Sequence, residues 1–425
     1  MNVSSLLRTT IAQSLALAAL ACTTSALADS LSTLPDALSG GKASLDARLR
    51  YENVDQHNIA TDANAVTARA RLGFTTKTWN GFTAELEYQG VAAVGNDNYN
   101  STHNGRTQYP VVPDPSGSEA NQAWIAYSGL PGTVIKYGRQ RIVYDNARFV
   151  GDVGFRQNQQ TYDGLTLTGT WLPKLTFNYA YLTNIDSFKY STINGVSTQN
   201  IGLNNTQLFN LNYASQNWLK FTGYAYLVNF AYDPPIPPLN NANRDTATYG
   251  GRATGAVPLV PVTLNYAVEY AHQNSYGDSP SAVQANYYLA EFGASYSHVF
   301  GTLGYEVLGG NGNYAFQTPL ATLHAFQGWA DQFLTTPAAG VDDLYVTVGG
   351  KLEQVKLTAI WHDFNSNDSS AGRYGSEIDL LASRPIGKLL TVTAAYAYYS
   401  ADHYPVAAGT PFDTSKAWLW FDLKI

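Results

Sequence analysis

The sequence predicts an all-β fold: a transmembrane antiparallel up-and-down β-barrel of about 18 strands, with short periplasmic turns and long extracellular loops. Three observations predict it. After residue 40 the chain reads as amphipathic segments of about ten residues, the length a tilted strand needs to cross a bilayer. The connections between them alternate short and long from one end to the other. Long apolar runs are missing although 45% of the residues are hydrophobic, which excludes helical spans and leaves strands.

The short links are 76–81, 129–132, 170–174, 214–217, 256–261, 298–301, 349–353 and 384–388. The long ones are 53–65, 92–118, 139–158, 184–204, 231–243, 273–283, 310–341, 365–373 and 400–414. A soluble sandwich has no reason to keep that order. An outer-membrane barrel does, because its periplasmic turns are tight and its outer loops long. Composition agrees: 30 Tyr, 8 Trp and 36 Gly suit interfacial aromatic girdles.

The N-terminus reads as a secretory signal. Arg8 is the only charge before Asp29, residues 15–21 are apolar, and Ala26-Leu27-Ala28 is a small-x-small site. The expected division is a signal peptide over 1–28 and a barrel over 29–425. Cys22 follows Ala19, Leu20 and Ala21, a poor lipoprotein signal. The single Cys and the single Met both lie in this segment, so the mature chain has no disulfide, thiolate metal site or cysteine nucleophile.

Strand faces follow a period of two. In 45–52, Leu45, Ala47, Leu49 and Tyr51 alternate with Asp46, Arg48, Arg50 and Glu52. In 66–75, Val66, Ala68, Ala70, Leu72 and Phe74 alternate with Thr67, Arg69, Arg71 and Thr75; in 82–89, Phe82, Ala84, Leu86 and Tyr88 alternate with Thr83, Glu85, Glu87 and Gln89. Later segments, around 262–270, 355–361 and 390–398, repeat the pattern. Charges recurring on the second face of so many strands predict a polar lumen. The last strand, KAWLWFDLKI, runs to the final residue, which is Ile425 where such strands usually end in an aromatic. Segments 159–169 and 218–230 have ambiguous faces.

Residues 136–163 read KYGRQRIVYDNARFVGDVGFRQNQQTYD, and 318–345 read TPLATLHAFQGWADQFLTTPAAGVDDLY. Both runs resemble segments of the alginate-export family of outer-membrane barrels. The resemblance implies a passive channel with 18 proposed strands. The best-known family member passes an anionic polysaccharide through an arginine-lined pore.

The residues carry part of that reading themselves. Lys136, Arg139, Arg141, Arg148 and Arg156 form a dense basic cluster in a chain of formal net charge −7. Guanidinium groups take carboxylates through paired hydrogen bonds, and rings of Arg or Lys favour anions in pores. The structural alternative is a network in which Asp145, Asp152 and Asp163 pair with these groups and pin the loop. Arg48, Arg50, Arg69 and Arg71 form a second basic patch. If the 76–81 turn keeps Leu72 and Leu86 on one face, Arg71 falls opposite Glu87 and cross-strand pairing consumes much of that charge. Glu269, Glu291, Glu306, Glu377 and Asp379 predict an acidic wall across the lumen. Leu320, Leu323, Phe326, Trp329 and Phe333 have close to helical spacing, which suggests a short helix at the barrel mouth.

Other chemistry is absent from the pattern. The seven His are scattered without metal-ligand spacing or a catalytic arrangement. Residues 363–374 begin like a calcium loop, but Asp368 replaces its glycine and Tyr374 its glutamate. No cofactor motif, phosphate loop or nucleic-acid motif appears. The expected function is an outer-membrane channel for polar, carboxylated solutes, extending to a polysaccharide such as alginate. A receptor, an adhesin or a hydrolase on the barrel rim is the alternative. Expected partners are the lipids of a Gram-negative outer membrane and small anionic solutes or a polysaccharide; oligomeric state is left open.

Overall fold

The computed structural model describes residues 34–193, 196–231, 245–279, 283–369, 371–402 and 411–425. The signal segment 1–28 and parts of several long connections lie outside them. The chain forms one closed antiparallel sheet of 18 strands. They are β1 (Lys42–Gln56), β2 (Ala63–Thr75), β3 (Phe82–Asn98), β4 (Gly117–Leu130), β5 (Thr133–Gln140) and β6 (Thr161–Gly169). Then come β7 (Leu175–Ile193), β8 (Val196–Gln216), β9 (Leu219–Val228), β10 (Thr246–Leu259), β11 (Val262–Ser275) and β12 (Gln284–Tyr296). The ring ends with β13 (Val299–Leu308), β14 (Val341–Leu352), β15 (Val355–Asn365), β16 (Arg373–Ile386), β17 (Leu390–Ala401) and β18 (Thr414–Lys424). Each strand pairs with the next, and β18 pairs with β1, placing Leu49 beside Phe421. Closure is what lets a sheet sit in lipid, because every edge N–H and C=O finds a partner.

Turn chemistry sets the tight links. Asn80 and Gly81 both have positive φ, 49° and 84°, the two-residue geometry whose twist matches a hairpin. Trp79 and Phe82 exchange both backbone hydrogen bonds across it at 2.8 Å. A six-residue helix, α1 (Leu34–Ser39), precedes β1, and the Ala37 carbonyl accepts the Lys77 N–H at 3.0 Å beside this turn.

The two faces separate as the alternation requires. Leu49, Tyr51, Leu72, Leu86 and Val346 are exposed on the outer wall, while Arg50, Glu52, Arg69, Gln89 and Asp343 are buried inside. Aromatic rings gather at both ends of that wall. Phe82 and Tyr127 lie 4.7 Å apart near the short turns, and Tyr270 and Tyr288 lie 5.3 Å apart near the long loops. These are the two interfacial girdles of a membrane barrel. The ambiguous segments also resolve: Thr222, Tyr224, Tyr226 and Val228 of β9 and Tyr162 of β6 are buried inside.

Three expectations are corrected. The connection 184–204 is a continuation of β7 and β8, which stay paired as far as Ile193 and Val196; its Ser, Thr, Ile and Val residues favour strand beyond the lipid. Residues 320–333 form successive turns. Leu323, Gln327, Gly328 and Asp331 have φ of 66°, 50°, 78° and 61°, which no α-helix accommodates. Arg71 faces Gln89, and Glu87 faces Gly73, so the expected Arg71–Glu87 pair does not form.

The outer wall makes a direct prediction. Val346 lies mid-strand on β14, facing out. Val346→Arg is expected to destabilise the barrel by roughly 2–4 kcal/mol, the cost of a cation at the bilayer midplane, measured by denaturant titration in lipid vesicles. The same change at Thr347, one residue along and facing the lumen, is expected to cost far less.

Candidate functional site

Three long connections fold into the lumen. They are 99–116 between β3 and β4, 141–160 between β5 and β6, and 309–340 between β13 and β14. Their polar groups seek the barrel's inner wall. Gln157 Nε2 donates to Thr67 Oγ1 at 2.9 Å, Tyr314 Oη to Gln273 Oε1 at 2.5 Å, and the Ala330 N–H to Glu377 Oε1 at 2.6 Å.

Arg156 stands where the three meet. It donates from Nη1 to both Glu52 oxygens, at 3.1 and 2.9 Å, and from Nη2 to Asp331 at 3.1 Å. Asp114 of the first connection lies 3.8 Å away and also takes the Arg50 guanidinium and the Gln157 N–H at 2.8 Å. Asp331 further accepts Lys416 Nζ at 2.7 Å and pairs with His324 Nδ1 at 2.8 Å. Phe155 stacks on His324 with centroids 3.6 Å apart, and Arg50 lies over the same Phe155 ring at 4.8 Å.

Burial sets the electrostatics. It works against a charge on Asp331, but Lys416, His324 and Arg156 outweigh it and hold the carboxyl well below the usual carboxylate range. Burial also works against the Arg156 charge, and Glu52, Asp114 and Asp331 hold its pKa above the ordinary guanidinium value. At His324 burial wins and pushes the imidazole pKa down against the opposing pull of Asp331.

The expected site residues divide into three groups. Arg50, Arg69, Arg148 and Arg156 are buried in carboxylate pairs. Arg148 bonds Glu306 at 2.7 Å and Gln327 at 2.9 Å, and Arg69 pairs with Asp46. Arg48 bonds Asp422 at 2.7 Å and the Phe155 carbonyl at 2.9 Å. Arg139 shares its strand face with Ile135 and the exposed Tyr137. It bonds Asp163 at 2.8 Å and Asp186 at 2.6 Å, stitching β5 to β6 and β7.

The remaining groups are less committed. Arg71 bonds only neutral partners among the described residues, Gln89 at 2.5 Å and the Gln157 carbonyl at 3.1 Å. Lys136 lies 4.0 Å over the Trp124 ring and contacts no carboxylate among the described residues. Arg141 pairs with Asp152, yet 53% of its side chain stays exposed. Glu87 accepts from Asn121 at 2.5 Å and Gln122 at 3.3 Å. The acids expected across the lumen are in place, with Glu269, Glu306, Glu377 and Asp379 buried. Sequence reasoning missed Asp114, Asp331 and Lys416. Asp114 carried a signal, being fixed between Pro113 and Pro115; Asp331 lies inside the 318–345 run.

No protein-family model matches this sequence, and no curated protein matches it. Solved structures do. OccAB4 of Acinetobacter baumannii superposes with a TM-score of 0.67 at 13% identity, over 91% of this chain and 98% of that chain. OccK9 (OpdG) of Pseudomonas aeruginosa gives 0.67 at 12%, over 92% and 99%. Pseudomonas aeruginosa OpdK with vanillate gives 0.66 at 12%, over 91% and 99%. The chain has the fold of the Occ/Opd outer-membrane porins. At these identities the match establishes architecture, and the porin fold here is lined by this chain's own charges.

Asp331 offers the sharpest test of the loop network. Its depressed pKa stabilises the folded state above the ordinary carboxylate value of about 3.9, and that contribution is lost as pH falls through the folded value. Asp331→Asn leaves Arg156 and Lys416 short of a counter-charge, at a cost of roughly 3–5 kcal/mol. The expected outcome at neutral pH is proteolytic cleavage within 309–340 in an otherwise intact barrel.

Proposed function

We propose that this chain is an outer-membrane channel through which polar solutes diffuse, and that carboxylated solutes are the class it favours. The observation that carries the reading is the unequal use of its cations. Most lumenal guanidinium groups are held by carboxylates, whereas Lys136 contacts none among the described residues and Arg141 keeps half its side chain exposed. Arg71, buried with neutral partners, adds its field behind them. Such groups attract a carboxylate that enters the lumen, and the low-dielectric wall focuses the field.

Two further facts support the class of solute. The 136–163 run that contains Lys136 and Arg141 resembles the alginate-export barrels, and alginate is a polycarboxylate. One structural neighbour, OpdK, was solved with vanillate, an aromatic carboxylate. Diffusion needs no energy source and no cofactor.

The test is ion selectivity in planar bilayers. Lys136→Gln with Arg141→Gln is expected to lower anion-over-cation permeability severalfold at low salt while leaving the barrel folded. The difference is expected to shrink at 1 M salt, where the Debye length is about 3 Å. Unchanged selectivity at low salt in a folded double variant would sink the proposal.

A further inference from the structure

The outer wall of the barrel carries a groove of about 960 Å³ over β13–β17. The register explains it. Gly350, Leu357, Ala382 and Ala394 lie in one row across neighbouring strands, and Val348, Ala359, Leu380 and Tyr396 lie in the next. Gly350, Ala359, Ala382 and Ala394 make a low floor. Val299, Leu352, Leu357, Leu380 and Tyr396 rise around it, all exposed on the lipid-facing side. Val299, Leu352 and Leu357 adjoin the short turns, so the groove opens towards the periplasmic leaflet.

Its periplasmic end is basic. Arg384 is two residues beyond Ala382 on the same face of β16, paired in register with Val392. It is exposed and has no carboxylate or hydrogen-bond partner among the described residues. Lys388 follows in the β16–β17 turn, also exposed. On the neighbouring β14–β15 hairpin, Lys351 and Lys356 pair with each other on the lumenal face, which leaves Arg384 and Lys388 as the cations of the groove's rim. A cation on the lipid-facing side of a barrel wall is costly within the hydrocarbon and is favourable at the interface, where lipid phosphates are its natural counter-ions.

We infer that this surface binds one glycerophospholipid of the periplasmic leaflet, with an acyl chain in the groove and the headgroup phosphate on Arg384 and Lys388. The apolar floor accounts for the chain and the unpaired guanidinium for the phosphate. Lipopolysaccharide occupies the opposite leaflet, at the other end of these strands. A second copy of the barrel pressed into the groove would leave Arg384 facing apolar side chains without a counter-charge.

Native mass spectrometry tests this on the detergent-solubilised barrel after exchange with phosphatidylglycerol. The wild-type protein is expected to retain one lipid. Arg384→Gln with Lys388→Gln is expected to reduce retention at least fivefold, and Ala382→Leu with Ala394→Leu, which fills the floor, to abolish it. The rim variant changes only exposed residues and heat-modifiable mobility reports its folding, so it decides the matter even where the filled floor fails to fold. Equal retention by the wild type and the rim variant would overturn the assignment. So would a dimer of barrels that Ala382→Leu dissociates, because that gives the groove to a second copy.

Discussion

Charge buried inside the lumen must be neutralised where it stands, and that constraint organises the upper barrel. An unpaired ion in a low-dielectric interior costs several kcal/mol. Arg50 and Glu52 point inward from β1 because the strand period leaves them no other face. Neither can be left alone. Asp114 arrives from one connection to meet Arg50, Arg156 from a second to meet Glu52, and Asp331 from a third to meet Arg156 and Lys416. Each partner is itself buried, so withdrawing any loop strands a charge on the others. The loops therefore dock as a unit, and the closed hydrogen-bonded ring beneath them supplies the rigid frame.

This division of labour underlies the proposed preference for carboxylated solutes. Guanidinium groups locked to carboxylates hold the loops, and only less committed cations are left to meet a solute. Lys136 within β5, Arg139 near its end and Arg141 just beyond it occupy different roles because of what each touches: a ring, two wall carboxylates, or the buried Asp152 with half of the arginine side chain left exposed. Outside, the same alternation that buries Arg50 exposes Leu49 and Tyr51 to lipid, so lumen chemistry and membrane fit are set by one pattern.

Much of the fold was legible because barrels impose a local rule. The faces of 45–52, 66–75 and 82–89 follow from alternation alone, and the short turns from their own residues. What failed was non-local or depended on backbone detail. The expected Arg71–Glu87 pairing does not form because register depends on where the turn and bulges fall; Arg71 meets Gln89 instead. The helix suggested by Leu320, Leu323, Phe326 and Trp329 is overruled by left-handed residues at Leu323, Gln327 and Asp331, held in place by tertiary contacts. The partners of Arg156 come from three distant segments, and no spacing in the sequence links Glu52, Asp114 and Asp331.

The central claim is that Arg156 keeps the loops inside the lumen, and single-channel conductance of Arg156→Met tests it most directly. Methionine fills much of the same volume without the charge. The account predicts a folded, heat-modifiable barrel whose conductance is larger and noisier than the wild type's, because 141–160 and 309–340 leave the lumen together. A folded variant with wild-type conductance and noise would contradict it.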